Sequence, residues 1–83
     1  MKWDEVRKCF PSQWVIIEAI NAITKENRRI IEEVSVVDVF LNDSKNAMKK
    51  YLLLHKKNRM RELYVIHTSC NHLNIEIIPR INL

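Results

Sequence analysis

The chain of 83 residues contains no glycine, although about six would be expected at an average usage near 7%. Glycine provides the close backbone approach of phosphate-binding loops, the first turn of dinucleotide folds and the strained bend of nucleophile elbows. None of these sites can be built here in its usual form. The sequence therefore points away from the enzyme classes that depend on them, and no motif in it identifies an activity.

Cysteine and long apolar runs are also scarce. Cys9 and Cys70 lie 61 positions apart, and two cysteines are too few for the disulfide framework of a small secreted domain, so we expect both to be reduced. No apolar run reaches the 18 residues of a membrane span, and Met1–Glu5 carries charges where a signal peptide needs an apolar stretch. We expect a cytoplasmic protein that does not enter a membrane. Its richness in Ile, Asn and Lys is typical of an AT-rich bacterial genome.

The composition is that of one folded domain over residues 1–83. The chain is 47% hydrophobic and 29% charged, which argues against disorder. A chain of this size buries only about 60–65% of its unfolded surface, so the core is small.

The first half predicts a helix and a β-hairpin. Trp3, Val6 and Phe10 recur at helical spacing, and Pro11 ends that helix, which we place at residues 2–9. The β-branched runs 14–23 and 29–40 flank a polar turn, which is typical of an antiparallel hairpin, with Asn27 favoured for positive φ. The apolar alternation of the second run is imperfect and predicts a bulge or a strong twist. We expect Trp3, Phe10 and Trp14 to pack together, so that Trp14→Ala would be close to unfolded.

The second half predicts a helix at residues 43–57 and two further strands. Asn42 or Asp43 is a suitable N-cap for the helix. Its apolar stripe comprises Met48, Tyr51, Leu52 and His55, widened by Ala47 and Leu54. The strands are expected at residues 63–68 and 73–77, where Pro79 confines the last strand to an edge or an end. The fold class is α+β with the order αββαββ: a mainly antiparallel sheet with the helix on one face.

Three short motifs resemble a known family. They are Trp3-Asp4-Glu5-Val6, Pro11-Ser12-Gln13-Trp14-Val15 and His67-Thr68-Ser69. The chain resembles a family of small uncharacterised proteins of low-GC Gram-positive bacteria, over nearly its whole length. The resemblance implies the fold described above and implies no activity.

Positive charge is concentrated on the second helix and its connector. The whole chain has a net charge of +4, yet residues 41–61 hold seven cations against Asp43 alone. We call this set the basic surface; it comprises Lys45, Lys49, Lys50, Lys56, Lys57, Arg59 and Arg61. It is either a footprint for nucleic acid or another anion, or a solvated helix face whose late lysines the helix dipole favours. Lysine predominates and no exposed aromatic row accompanies it, which favours the solvated face.

His67, Cys70 and His72 form the pattern H-x-x-C-x-H. Their side chains can ligate zinc, but a structural site needs four ligands, and the other candidates, Cys9 and His55, are distant in sequence. The trio also lacks a group to orient a catalytic histidine. We therefore expect no metal, no cofactor and no catalytic residue here. Glu18 is expected to pair with Arg29 or a neighbouring cation in a structural role.

Three classes of function remain. The first is a non-catalytic interaction or regulatory module that forms a homodimer or binds a small protein partner, because the strands carry more apolar faces than one helix can cover. The second is a protein that binds nucleic acid weakly through residues 43–61. The third is a small enzyme with an unrecognised site. The first accounts best for the sequence.

Overall fold

A computed structural model describes residues 1–76 of the chain. Its elements are α1 (Trp3–Cys9), β1 (Trp14–Lys25), β2 (Arg28–Phe40), α2 (Ser44–Lys57), β3 (Leu63–His67) and β4 (Asn74–Glu76). The αββαββ order and the α+β class are confirmed, with boundaries close to those predicted. The expectation for residue 77 lies outside the described residues.

The sheet is antiparallel, with the strand order β3-β1-β2-β4. The β1–β2 hairpin turns at Glu26 and Asn27, whose φ angles are 50° and 62°. Positive φ at both turn residues gives the twist that a two-residue hairpin loop needs. The prediction of positive φ at Asn27 is confirmed, and a chain without glycine makes this turn with Glu and Asn.

The hairpin contains three irregularities in register. They leave Val37 and Glu32 of β2 and Ile20 of β1 without a partner across the β1–β2 pair. Such bulges bend a strand and increase its twist. The predicted bulge in β2 is confirmed, and it explains why apolar residues of β2 change parity.

Helices cover both faces of one half of the sheet. Val15 and Ile17 of β1 lie in a core cluster with Trp3 and Val6 of α1, which Val34 and Leu73 complete. Ile16 points to the opposite face, where α2 packs, and is also fully buried. Three consecutive side chains of β1 are therefore excluded from water.

The apolar stripe of α2 differs from the predicted one by a rotation of the helix. Ala47 is fully buried, and Tyr51 and Leu54 are half-buried, whereas Met48 is 48% and Leu52 57% exposed. His55 is also exposed and stacks on Tyr51 with 5.8 Å between ring centroids. The prediction that Met48, Leu52 and His55 belong to the buried stripe is wrong. Ala47 is the buried residue of α2, with Tyr51 and Leu54 half-buried beside it, so the stripe is centred on Ala47.

The N-terminal aromatic cluster forms without Trp14. Trp3 is buried and Phe10 packs against the same core. Trp14 shares strand parity with Ile16, so it faces the other side of the sheet, where its ring lies edge-on to His67 at 5.1 Å. The prediction that Trp14 joins Trp3 and Phe10 is therefore wrong.

Trp3 and Arg7 fasten α1 to the segment that follows β3. Its indole Nε1 donates a hydrogen bond of 2.8 Å to the carbonyl oxygen of Cys70. Arg7 donates to the carbonyl oxygen of Thr68 at 2.9 Å. Both bonds tie α1 to the segment after β3, so α1 is fixed by tertiary contacts rather than by its own seven residues.

We predict that Trp3→Ala lowers the free energy of unfolding by about 3–5 kcal/mol, because it removes a large buried aromatic side chain. Trp3→Phe retains a ring and loses one hydrogen bond, worth about 1 kcal/mol, so its loss is clearly smaller. Trp14→Ala, at a half-buried position outside the cluster, costs less than Trp3→Ala. Urea denaturation measures all three, and equal losses for Trp3→Ala and Trp14→Ala would contradict the placement of Trp3.

Candidate functional site

Two surfaces are candidates for function: the basic surface and the far half of the hairpin. The basic surface is only partly free. Five of its cations are exposed: Lys45, Lys49, Lys56, Lys57 and Arg59. Lys50 is half-buried, and Arg61 is half-buried in an ion pair with Glu18.

Asp43 does not neutralise the exposed lysines of α2. Its carboxylate accepts a hydrogen bond from the backbone N–H of Asn46 at 3.0 Å and so caps the helix. A carboxylate at this position also complements the positive end of the helix dipole. Within residues 1–76, no ion pair joins Asp43 to a lysine of α2.

Aliphatic side chains share this outer face with the lysines. Met48, Leu52 and Leu53 are each about half exposed, and Met60 in the connector is 92% exposed. At 3.6 residues per turn, Lys45, Lys49 and Lys56 lie on one line of the helix between Leu52 and Leu53. The surface is thus a mixture of cations and aliphatic groups rather than a purely cationic strip.

The connector between α2 and β3 fastens the edge of β1 in a way that sequence analysis predicted only in part. Arg61 binds Glu18 with N–O distances of 2.9 and 3.1 Å. The next residue, Glu62, binds Arg29 at 2.7 and 2.8 Å, and its carbonyl oxygen accepts from the N–H of Ala19 at 2.9 Å. We call this arrangement the Arg61–Glu62 clip. Glu18 therefore pairs with a cation other than Arg29.

The two ion pairs of the clip lie on opposite faces of the sheet. Tyr64 packs against the core cluster beneath α1, and its hydroxyl donates a hydrogen bond of 2.6 Å to Glu62. Glu18 follows Ile17, which lies in the same cluster, so Glu18 points to the face of α2. The clip thus binds β1 at Glu18 and Ala19 and, on the opposite face of the sheet, binds β2 at Arg29.

The ion pairs shift the pKa values of their carboxyl groups. The hydrogen bond from Arg61 lowers the pKa of Glu18, and that from Arg29 lowers the pKa of Glu62. Burial raises the pKa of Tyr64 to about 12, and its hydrogen bond to Glu62 adds to this effect. These charged groups stabilise one another and hold the connector in place.

Beyond the clip, β3 no longer pairs with the hairpin. β3 pairs with β1 only from Trp14 to Glu18, and the bond between Ala19 and Glu62 ends that contact. The segment Ile20–Lys25, which we call the open edge, pairs with β2 on its other side. Among residues 1–76, no strand pairs with its outer side.

Isoleucines make this half of the hairpin apolar. Ile20 is 60%, Ile23 50% and Ile30 37% exposed. Ile23 and Ile30 lie directly opposite each other across the hairpin and therefore share a face. Ile31 packs against the core cluster, so its neighbour Ile30 points to the face of the sheet that carries α2.

The structure does not gather His67, Cys70 and His72 into one site. The Nδ1 atom of His67 lies 2.8 Å from the hydroxyl of Ser69, and its ring contacts Trp14. Cys70 and His72 are exposed. Across residues 1–76, no group of three His, Cys, Asp or Glu side chains is positioned to hold a metal ion.

A cavity of about 400 Å³ lies between the start of α1, β2 and residues 71–73. Trp3, Ile31 and Leu73 provide apolar walls, and Lys2 and Glu32 provide charges of opposite sign. Asp4, Asn71 and His72 also line this cavity, which opens to solvent.

No helix within residues 1–76 combines the length and the apolar character that crossing a membrane requires. Comparison of the chain with protein-family models, with curated proteins and with solved structures found no match.

The lowered pKa values predict the acid sensitivity of the fold. A carboxyl whose folded-state pKa lies below its usual value of 4.5 contributes stability that is complete above pH 4.5 and is lost as the pH falls through the lowered pKa. Urea denaturation at a series of pH values should show this loss, and Glu62→Gln should make the dependence shallower. Glu33→Gln, at an exposed carboxylate outside both ion pairs, is the control. A Glu62→Gln profile parallel to that of the wild type would contradict the assignment.

Proposed function

We propose that this protein is a small, non-catalytic interaction module that self-associates as a homodimer in the bacterial cytoplasm. The observation that carries the proposal is the contrast between the two halves of the sheet. One half is covered by helices on both faces, and the other presents exposed isoleucines beside the open edge. Its membership of the Gram-positive family named above is likewise a proposal.

Solvent exposure of large aliphatic side chains favours a partner when they form a group rather than occur singly. Ile23 and Ile30 are cross-strand neighbours, and Ile20 is three positions from Ile23 in the same strand. No strand of the described part of the chain pairs with the edge next to them, so this edge offers backbone hydrogen bonds to the same partner. The exposed apolar area and the backbone groups available for hydrogen bonding therefore lie at the same end of the hairpin.

The clustered charges support a non-catalytic role. Glu18, Arg29, Arg61 and Glu62 are joined in ion pairs that fasten the connector to the sheet. His67 is held by Ser69 and Trp14 beside the turn that follows β3. Each of these groups has a structural partner that accounts for its position.

We predict that the wild-type protein sediments as a dimer of about twice the 10.0 kDa of one chain in analytical ultracentrifugation. Ile23→Lys should sediment as a monomer, because it places a charge in the apolar contact. Leu52→Lys introduces the same charge at a 57% exposed position on α2 and should leave the dimer intact. Circular dichroism establishes that both variants are folded. A monomeric wild type at high concentration would overturn the proposal.

Nucleic-acid binding by residues 43–61 is the second candidate, and the five exposed cations of the basic surface favour it. Arg61 is engaged by Glu18, which leaves Arg59 as the one exposed arginine among the seven cations of that surface. Duplex recognition relies on arginine for bidentate contacts, and phosphates would leave Leu52, Leu53 and Met60 uncovered. Any such binding is therefore weak, with a Kd of about 10⁻⁴–10⁻⁶ M, and insensitive to sequence.

Salt dependence tests this second candidate. Four or five phosphate contacts would give a log–log slope of affinity against salt near −4 on duplex DNA, at about −0.9 per contact. The double variant Lys49→Glu with Lys56→Glu should fold normally, since both side chains are exposed, and should abolish binding. A sub-micromolar, sequence-selective complex at physiological salt would replace the proposal of an interaction module with this one.

A further inference from the structure

We propose that two copies of this chain join their sheets through the open edge, Ile20–Lys25, with Ile23 on the two-fold axis. This inference rests on the proposed self-association and names the surface and register by which it occurs. The two four-stranded sheets become continuous across a β1–β1 contact.

The open edge has the features of a pairing edge. β1 ends its pairing with β3 at Glu18, and the clip satisfies the N–H of Ala19. Natural edge strands are usually blocked by charges or proline. From Ile20 to Thr24 the sequence contains neither. A second copy of the same edge is a self-complementary partner, because each strand supplies the donors and acceptors that the other needs.

Other edges of the sheet are less suitable. The outer edge of β2 pairs with β4 at Arg28–Ile30, and Met1 exchanges two hydrogen bonds with Val34 further along. The side chains of β3 are buried or half-buried, so its edge adds no exposed apolar contact. Among residues 1–76, the open edge is where a strand side without a pairing strand lies beside exposed isoleucines.

The clip fixes the register. A two-fold axis perpendicular to the sheet places one residue opposite its own copy. With Ala22 on the axis, Lys25 of the second copy would lie opposite Ala19, whose N–H already donates to Glu62. With Ile23 on the axis, Glu26 of the second copy lies opposite Ile20, and the overlap stops before Ala19. An axis further toward the turn shortens the overlap, so Ile23 gives the longest contact that leaves the clip intact.

This register also aligns the apolar side chains. Ile23 and Ile30 are paired across the hairpin and share one face of the sheet. A two-fold axis perpendicular to the sheet does not exchange its faces, so this face lies on the same side of the joined sheet in both copies. Ile30, Ile23 and their two copies therefore form one row across four neighbouring strands, with strands about 4.8 Å apart. Lys25 lies opposite Asn21 of the second copy, so no like charges are opposed.

Disulfide trapping tests the register directly. In a Cys9→Ser, Cys70→Ser background, which removes the two exposed native thiols, Ile23→Cys should form a cross-linked dimer under mild oxidation. Opposed residues of an antiparallel pair have Cα atoms about 4.5–5.5 Å apart, within disulfide range. Thr24→Cys is the matched control one position away, because it lies diagonal to its own copy at about 8 Å, which is too far. Met60→Cys, at a 92% exposed position off the edge, controls for random collision.

The outcomes separate this inference from the function on which it rests. Cross-linking at Ile23→Cys, and not at Thr24→Cys or Met60→Cys, supports the register. A wild type that is dimeric by mass, with no selective cross-link at Ile23→Cys, overturns the register and leaves self-association standing. A monomeric wild type overturns both.

If Ile23→Cys fails to fold, isotope-filtered nuclear Overhauser spectra of mixed-label wild type decide the question. Contacts between Asn21 of one copy and Lys25 of the other support the register. The absence of these contacts in a dimer contradicts it.

Discussion

The complete burial of three consecutive side chains in β1 is the constraint on which the rest of the structure depends. Val15, Ile16 and Ile17 are fully inaccessible to water, and a strand can achieve this only if both faces of its sheet are covered. The chain has a short α1 for one face and α2 for the other. Trp3 and Val6 of α1 complete the core on one face, and α2 packs on the other, so both helices lie over the half of the sheet that contains these three residues.

The Arg61–Glu62 clip marks where this covered region ends. Arg61 binds Glu18 on the face of α2, and Glu62 binds Arg29 on the face of α1. The carbonyl oxygen of Glu62 accepts a hydrogen bond from the N–H of Ala19. β1 and β2 continue past the clip, and β4 pairs with β2 at Arg28–Ile30, while no strand among residues 1–76 pairs with the outer side of β1 there. Ile20, Ile23 and Ile30 are exposed in this part of the hairpin. The same geometry that completes the core thus leaves a surface suited to pairing.

Most of the elements could be predicted from the sequence, because their boundaries are local. Pro11 ends α1, Asn27 accepts a positive φ, and Asp43 caps α2. The rotation of α2 was not predictable, since Met48 and Leu52 are as apolar as Leu54, and which of them is buried depends on the sheet against which the helix packs. The face on which Trp14 lies could not be predicted, because spacing along the chain does not reveal which face of the sheet a strand residue takes. The sequence indicates a structural role for Glu18 but does not predict the clip, because its two ion pairs join residues that are 33 and 43 positions apart. The mixed parity of apolar residues in the hairpin did predict an uncovered patch or an open edge, but not its location.

Amide hydrogen exchange along β1, followed as a function of protein concentration, tests the central claim most directly. The account predicts that Val15–Ala19 exchange slowly at every concentration, because α1, α2, β3 and the clip protect them within one copy. The outward-facing amides of the open edge should exchange quickly in dilute solution and become protected as concentration rises. Protection of these outward-facing amides that is already complete in dilute solution, or that never appears, would contradict the account.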